Sequence, residues 1–285
     1  MSVPALPGRS VPVVVAAVLA ICGTATDLVL RGDVTPLAFV AALCLSALLA
    51  DAITALAHFS FDYIFPYDFP IFGPIAKGFN EHHEEPSLDP KDAVENFTLG
   101  GYGSCAVSLL SLGVILFGDH GPVSSFVLTL LLFLAIWGLL FHHLHSYAHM
   151  GSLLDPRRFT SEVERIAGLN DKRQQKAALR ALFATVPTPR FIKLLQRLRL
   201  TLEPGRHNLH HIHFESDFSS VNGWSDPLLN PILRPAARYF KAKRQRGIAE
   251  RSAVACPERV EGRSGAEAAR RAIPRSASLP RSGQD

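Results

Sequence analysis

Cysteine is scarce in this chain. Four residues, Cys22, Cys44, Cys105 and Cys256, are scattered over 285 positions, and no C-x-x-C pair occurs. Such spacing excludes a disulfide framework and gives thiolate zinc or iron–sulfur sites no support. Charge is thin as well: 19% of residues are charged against 48% apolar, and the mean hydropathy is +0.17. That balance excludes a disordered or fibrous chain and is greasy for a soluble enzyme. Basic residues are almost missing from the first half, where only Arg9, Arg31, Lys77 and Lys91 precede residue 150 out of 29 Lys and Arg. There is no nucleotide-binding glycine fingerprint and no C-x-x-C-H. What the chain does have is length for one or two domains, long uncharged runs and twelve histidines.

Phe97–Gly118 and Pro122–Phe141 each run without a charge for about 20 residues, the length of a helix crossing a bilayer core. Val11–Thr26 continues past Asp27 to Leu30, and Pro36–Ala50 continues past Asp51 to Phe61. These runs predict an all-α, polytopic membrane protein with four transmembrane helices at about 11–30, 36–58, 97–118 and 122–145. The membrane domain spans 11–240, between a short N-terminal segment, 1–10, and a tail, 241–285. An alternative for the first run is a signal peptide, since Arg9 precedes it and small residues follow near Gly23–Ala25.

An even number of spans places both termini on one side. The basic second half, with Arg9, Lys77 and Lys91, assigns that side to the cytoplasm. The opposite loops, Arg31–Thr35 and Asp119–Gly121, hold one basic residue, Arg31. On this map eleven of the twelve histidines fall on the cytoplasmic face, and only His120 falls opposite. Lys and Arg alone set the orientation, so the histidine distribution is independent support for a single site, a histidine-rich cap.

His145 and His149 are i and i+4, which on a helix share one face and can grip one metal. His207, His210 and His211 form H-x-x-H-H, Glu81-His82-His83 adds two more, and His58 another. Eight imidazoles exceed what one metal accepts, so two metals are the economical reading. Imidazole suits iron, zinc, copper or nickel, and ligand type alone does not choose among them. Asp51 lies inside a span, where a carboxylate usually has a polar partner. It precedes His58 by two helical turns on the same face. We therefore expect Asp51 to orient a ligating histidine from behind.

Several segments resemble the Kua-type lipid desaturase family, which includes plasmanylethanolamine desaturase and the plastid palmitate desaturase of phosphatidylglycerol. Ala50-Asp51 followed by His58-Phe59-Ser60-Phe61-Asp62 is similar to its A-D…H-W-x-x-D. Glu81-His82-His83-Glu84-Glu85-Pro86 resembles E-H-H-x-x-P, and His145-Ser146-Tyr147-Ala148-His149 resembles H-x-W-[AS]-H. His207-Asn208-Leu209-His210-His211, with Gly223-Trp224 downstream, is similar to H-x-x-H-H and G-W-x-N-x-L. The resemblance covers roughly 45–235 in the family's order. It implies His58, His82, His83, His145, His149, His207, His210 and His211 as ligands of two irons, and Asp51 and Asp62 are taken as candidate catalytic-site residues. Lys91 stands where plasmanylethanolamine desaturases have histidine, and His142 and His143 where amides are usual. His213 falls near another family histidine only if a gap is allowed.

The chemistry so implied is O2-dependent desaturation of a membrane lipid's alkyl or acyl chain, with vinyl-ether formation as one form. Electrons would come from a separate ferredoxin or b-type cytochrome. A lipid hydroxylase of similar di-metal chemistry is the near rival. A haem-binding membrane electron carrier, using His58 with His142 or His145, belongs to a different class and leaves H-x-x-H-H unexplained. A non-catalytic metal sensor is a further alternative. Around Arg190–Arg206, Phe191, Leu194, Leu195, Leu198 and Leu202 recur at helical spacing, which predicts an amphipathic helix, either on the membrane surface or packed on the cytoplasmic domain. Composition predicts that Lys241–Asp285 is a disordered basic tail with no catalytic role and no nucleic-acid partner.

Overall fold

The computed structural model describes residues 10–84 and 89–255, and among these all regular structure is helical, in eleven α-helices. Four are long and apolar enough to cross a membrane: α1 (Val11–Arg31), α2 (Pro36–Tyr63), α4 (Ala93–Phe117) and α5 (Pro122–Ser146). Local chemistry sets their ends. Pro36 and Pro122 open α2 and α5, where a missing N–H costs nothing. The Thr35 hydroxyl accepts from the Ala38 N–H at 3.2 Å, and Gly32 ends α1 in the left-handed region at φ 69°.

The helices form a bundle in which α5 packs against α1, α2 and α4. Small residues allow the closest approach. A side chain on Gly100 would run into the backbone carbonyls of Gly138 and Leu139, and one on Gly138 would sit 3.2 Å from the Ser104 nitrogen. The distribution of side chains is inverted relative to a water-soluble bundle. Ser46, Ser104, Ser125 and Thr129 are buried, while Leu109, Leu110, Leu116 and Val123 face outward.

Two bonds fix which ends share a side. Arg31 Nη1 donates to the Asp119 carbonyl at 3.2 Å, joining the α1–α2 and α4–α5 turns. At the other end the Ser10 N–H donates to Thr98 Oγ1 at 3.0 Å. The elements that bear the histidines other than His120 lie at this second end.

Two spans run further there than their apolar runs predict. Helix α2 continues to Tyr63, and α4 begins at Ala93. The acidic Glu95 falls in α4's first turn, where the helix dipole favours negative charge, so charge there does not stop the helix.

The remaining elements are short: α3 (Gly73–Glu84), α6 (Met150–Leu154), α7 (Pro156–Ala167), α8 (Lys172–Ala184), α9 (Arg190–Arg197) and α10 (Pro204–His213). Phe159, Val163 and Val186 form a small core with Met150, Phe183 and Ile212 around it, against which α10 is seated. Helix α9 stops earlier than the leucine periodicity predicts. It exposes Phe191, Leu194 and Leu198 and buries Ile192, while Leu202 is buried in the connection beyond it.

The chain divides into one unit of Met1–Ala237 and a second of Arg238–Asp285. Helix α11 is continuous from Asp226 to Ala255, so residues 241–255, expected from composition to lack structure, are helical. Alanine, lysine, arginine and glutamine are good helix formers, and composition weighed only their lack of apolar bulk. The rest of the expected tail, 256–285, and the segment 1–9 lie outside the described residues.

Candidate metal centre

Four elements bring eight imidazoles together: the end of α2, α3, the end of α5 with the turn that follows, and α10. Seven of them, with Asp62, sort into two groups of possible ligands. One is His82, His149, His207 and His211; the other is His58, Asp62, His83 and His210. In the first, His149 Nε2 lies 3.1 Å from His82 Nε2 and 3.0 Å from His207 Nε2, which is 3.0 Å from His211 Nε2. In the second, His83 Nε2 is 2.9 Å from His58 Nε2 and 3.3 Å from His210 Nε2. His145 adjoins the first group, with its Nε2 3.0 Å from that of His149.

The adjacent pairs divide between the groups. His82 faces one and His83 the other; so do His211 and His210. Neighbours on a helix point about 100° apart, so an H-H pair contributes to two groups placed side by side. His207 and His211, one turn apart, share a group.

His145 and His149 reach each other differently from the expectation. Helix α5 ends at Ser146, and the chain passes through a tight turn in which the Ala148 N–H bonds to the His145 carbonyl at 2.8 Å and the His149 N–H to Ser146 at 3.1 Å. These i→i−3 bonds keep His149 over His145 although the two are not on one continuous helix. Asn208 then ties α10 to this turn, its Nδ2 donating to the Ala148 carbonyl at 3.0 Å.

Asp51 reaches the rings only through a loop. It is fully buried, yet its carboxylate bonds to no histidine. It accepts from the Ser219 hydroxyl (2.5 Å), the N–H groups of Asn222, Gly223 and Ser225 (2.8, 3.0 and 2.8 Å) and the Ser225 hydroxyl (2.7 Å). The loop it gathers carries the carbonyls that orient the rings. Phe218 O accepts from His58 Nδ1 at 2.9 Å, Ser220 O from His145 Nδ1 at 3.2 Å, and Ser216 O from His210 Nδ1 at 2.8 Å. Two helical turns put Asp51 on the correct face of α2, but a loop lies between its carboxylate and the ring. That loop, Ser216–Asp226, is what the sequence reasoning missed. Its signal was a run of serines and asparagine directly after a histidine group, which are polar residues suited to burial against a charge.

Asp62 joins the second group itself. Its carboxylate oxygens lie 3.6, 3.7 and 3.9 Å from His58 Nε2, His83 Nδ1 and His210 Nε2. His142, His143 and His213 belong to neither group. His143 stacks on Phe97 with ring centres 4.8 Å apart, and His213 is exposed on α10.

The electrostatics favour neutral rings. Burial, reinforced by neighbouring imidazoles, pushes His82 down to about 3 and holds His83, His149, His207 and His211 far below the ordinary histidine value. Burial likewise lowers His210 to about 4, although its bond to Ser216 works the other way. A neutral ring whose Nδ1–H is given to a carbonyl has only a lone pair at Nε2. His58, His145 and His210 thus aim lone pairs at other imidazole nitrogens about 3 Å away. Buried lone pairs that converge in this way repel unless a cation sits among them, so the residues fit metal ions. Behind them Arg206 bonds to Asp217 and, at 3.2 Å, to Asp226. Burial and the nearby Asp217 raise Asp226 to about 7.

Residues 47–176 match the family of the lipid desaturase domain. That segment is similar to a lipid desaturase domain. The match agrees with the Kua-type resemblance of the motifs. It takes in Asp51, His58, Asp62, His82, His83, His145 and His149, and it ends before α10. His207, His210 and His211 are therefore brought to the histidines of the matched segment by the fold. No curated protein and no solved structure matches the chain.

Proposed function

We propose that this protein is an integral-membrane, O2-dependent di-iron desaturase acting on an alkyl or acyl chain of a membrane lipid. The observation carrying this reading is the pair of adjoining four-ligand groups at one end of a membrane-type bundle, within and beside a lipid desaturase domain. His82, His149, His207 and His211 would hold one ion, and His58, Asp62, His83 and His210 the other, with His145 beside the first. Iron supplies the redox capacity to reduce dioxygen and remove hydrogen from an unactivated chain, which zinc lacks.

The chain's own residues contribute position. Asp51 gathers the Ser216–Asp226 loop, whose carbonyls fix the tautomers of His58, His145 and His210. The Asp62 carboxylate balances charge in the second group. Burial excludes water, which protects an oxidising site from side reactions. Overall, a saturated carbon pair and O2, with two electrons and two protons, become a double bond and two waters. The electrons come from a separate carrier, a ferredoxin or a b-type cytochrome. The histidine end and both termini face the cytoplasm, on the basic-residue distribution.

The test is metal analysis of the purified full chain beside lipid analysis of expressing cells, for the wild type and His210→Ala. Two irons per chain, as the two groups imply, and a double bond lost in the variant are expected. A vinyl ether identifies an ether-linked substrate of the plasmanylethanolamine type, and an internal double bond identifies an acyl one. A hydroxylated product points to the hydroxylase instead. Full turnover after removal of iron, or an unchanged lipid profile, overturns the reading.

A further inference from the structure

His58 lies twenty-two residues beyond Pro36 on α2, and His145 twenty-three beyond Pro122 on α5. At 1.5 Å per residue both stand about 33–35 Å from the far ends of their helices, just past a hydrocarbon core about 30 Å thick. A lipid methylene must therefore leave the bilayer core to meet the second histidine group, and only an apolar wall makes that step favourable.

One such wall is present. Immediately after α2, residues 64–72 read I-F-P-Y-D-F-P-I-F, with Asp68 as the one charge. Ile64, Phe69, Ile71 and Phe72 are exposed, Ile71 to 70%. Inward from Phe72 the rings are continuous. Phe72 meets Phe65 at 4.7 Å, Phe65 meets Phe61 at 5.6 Å, Phe61 meets Phe79 at 4.9 Å, and Phe79 meets His58 at 5.3 Å. On its other side His58 meets the fully buried Phe218, backed by the hydrogen-bonded loop on Asp51.

We propose that residues 64–72 lie in the membrane interface, and that the Phe72–Phe65–Phe61–Phe79 tract is the surface along which a lipid chain passes to the His58 group. This rests on the desaturase reading and adds to it the route of the substrate. The occupant is a bilayer lipid's hydrocarbon chain, because the segment continues directly from a membrane-spanning helix and presents large apolar side chains at its end.

The test uses the metal-loaded full chain in lipid nanodiscs containing a phosphatidylcholine with a mid-chain diazirine. Photolabelling is expected within Phe61–Phe79 and to be lost in Phe72→Asp, while labelling at the outward Leu109–Leu110 persists as the bilayer reference. Absence of label in Phe61–Phe79 with Leu109–Leu110 labelled overturns the proposal. In parallel, Phe79→Ala and Phe79→Leu are expected to keep wild-type iron content but shift preference between chains differing by two methylenes by roughly tenfold, the scale of such changes in an apolar pocket. An unchanged preference and rate in both also overturns it. A wild type that makes no oxidised lipid fails the desaturase reading itself, and the labelling still decides whether hydrocarbon contacts the tract.

Discussion

Asp51 and Ser225 are 174 positions apart and joined twice: Oδ2 of the carboxylate accepts from the Ser225 N–H at 2.8 Å and from its hydroxyl at 2.7 Å. Through this pair a carboxylate in a membrane-type helix determines where a loop places its carbonyls, and so which nitrogen each of three histidines presents. A span aspartate is expensive unless its lone pairs are used, and here both oxygens are used.

Asp51→Asn is expected to be costly although it conserves shape. The amide nitrogen would face N–H donors, leaving buried groups unsatisfied. We expect a loss of roughly 2–4 kcal/mol in unfolding free energy, summed over more than one buried bond to a charge. Lower iron content should accompany it. Denaturant unfolding in detergent with metal analysis checks both, and near-wild-type values for the two would contradict the role.

The two groups should be separable. His211→Ala and His210→Ala are each expected to remove about one iron per chain, from different groups. Iron spectroscopy should report two distinct residual environments. Identical residual signals would mean that the rings serve one shared centre.

The Asn208 side chain bonds to the Ala148 and Pro204 carbonyls and not to a histidine, and so holds α10 against the turn at Ala148. Asn208→Ala should weaken metal binding in the four-histidine group by roughly 10–100-fold, the usual effect of losing support behind a ligand. Competitive chelator titration measures it. Equal weakening in Leu209→Ala, one residue along the same helix, would reduce Asn208 to general stability.

The metal-free protein should lose stability on acidification. His82 and His210 take protons only near 3 and 4 when folded, but near 6.5 once unfolded. Between those values the unfolded chain binds more protons, so stability falls as pH falls from about 6.5 to 4. Each such histidine contributes about 1.4 kcal/mol per pH unit. Metal affinity should fall over the same range because protons compete for the lone pairs. Chemical unfolding at several pH values tests the first effect, and a flat profile would show that the rings are not held neutral.

Much of this architecture is legible in one dimension. Uncharged runs longer than a bilayer core have few other destinations, and Pro36, Pro122 and Gly32 mark helix ends by their own backbone chemistry. The histidines could be gathered to one face before any coordinates, because Lys and Arg orient the spans independently of them. The split of His82 from His83 and of His210 from His211 was not legible, since spacing gives an angle between neighbours but not what lies in each direction. The means by which Asp51 acts was not legible for a related reason: helical register put it beneath His58, but only the return of a loop from beyond α10 determines what fills the space between.

Composition and periodicity therefore decided the class of molecule, the number of spans and the residues able to bind metal, since each depends on local chemistry or on transfer from water to hydrocarbon. The tertiary structure decided the division into two groups, the tautomers of His58, His145 and His210, Asp62 as a member of the second group and the aromatic tract beside it. Those depend on contacts between segments more than 170 residues apart, such as Asp51 with Asn222 and Gly223, and such contacts form only when the whole bundle has closed.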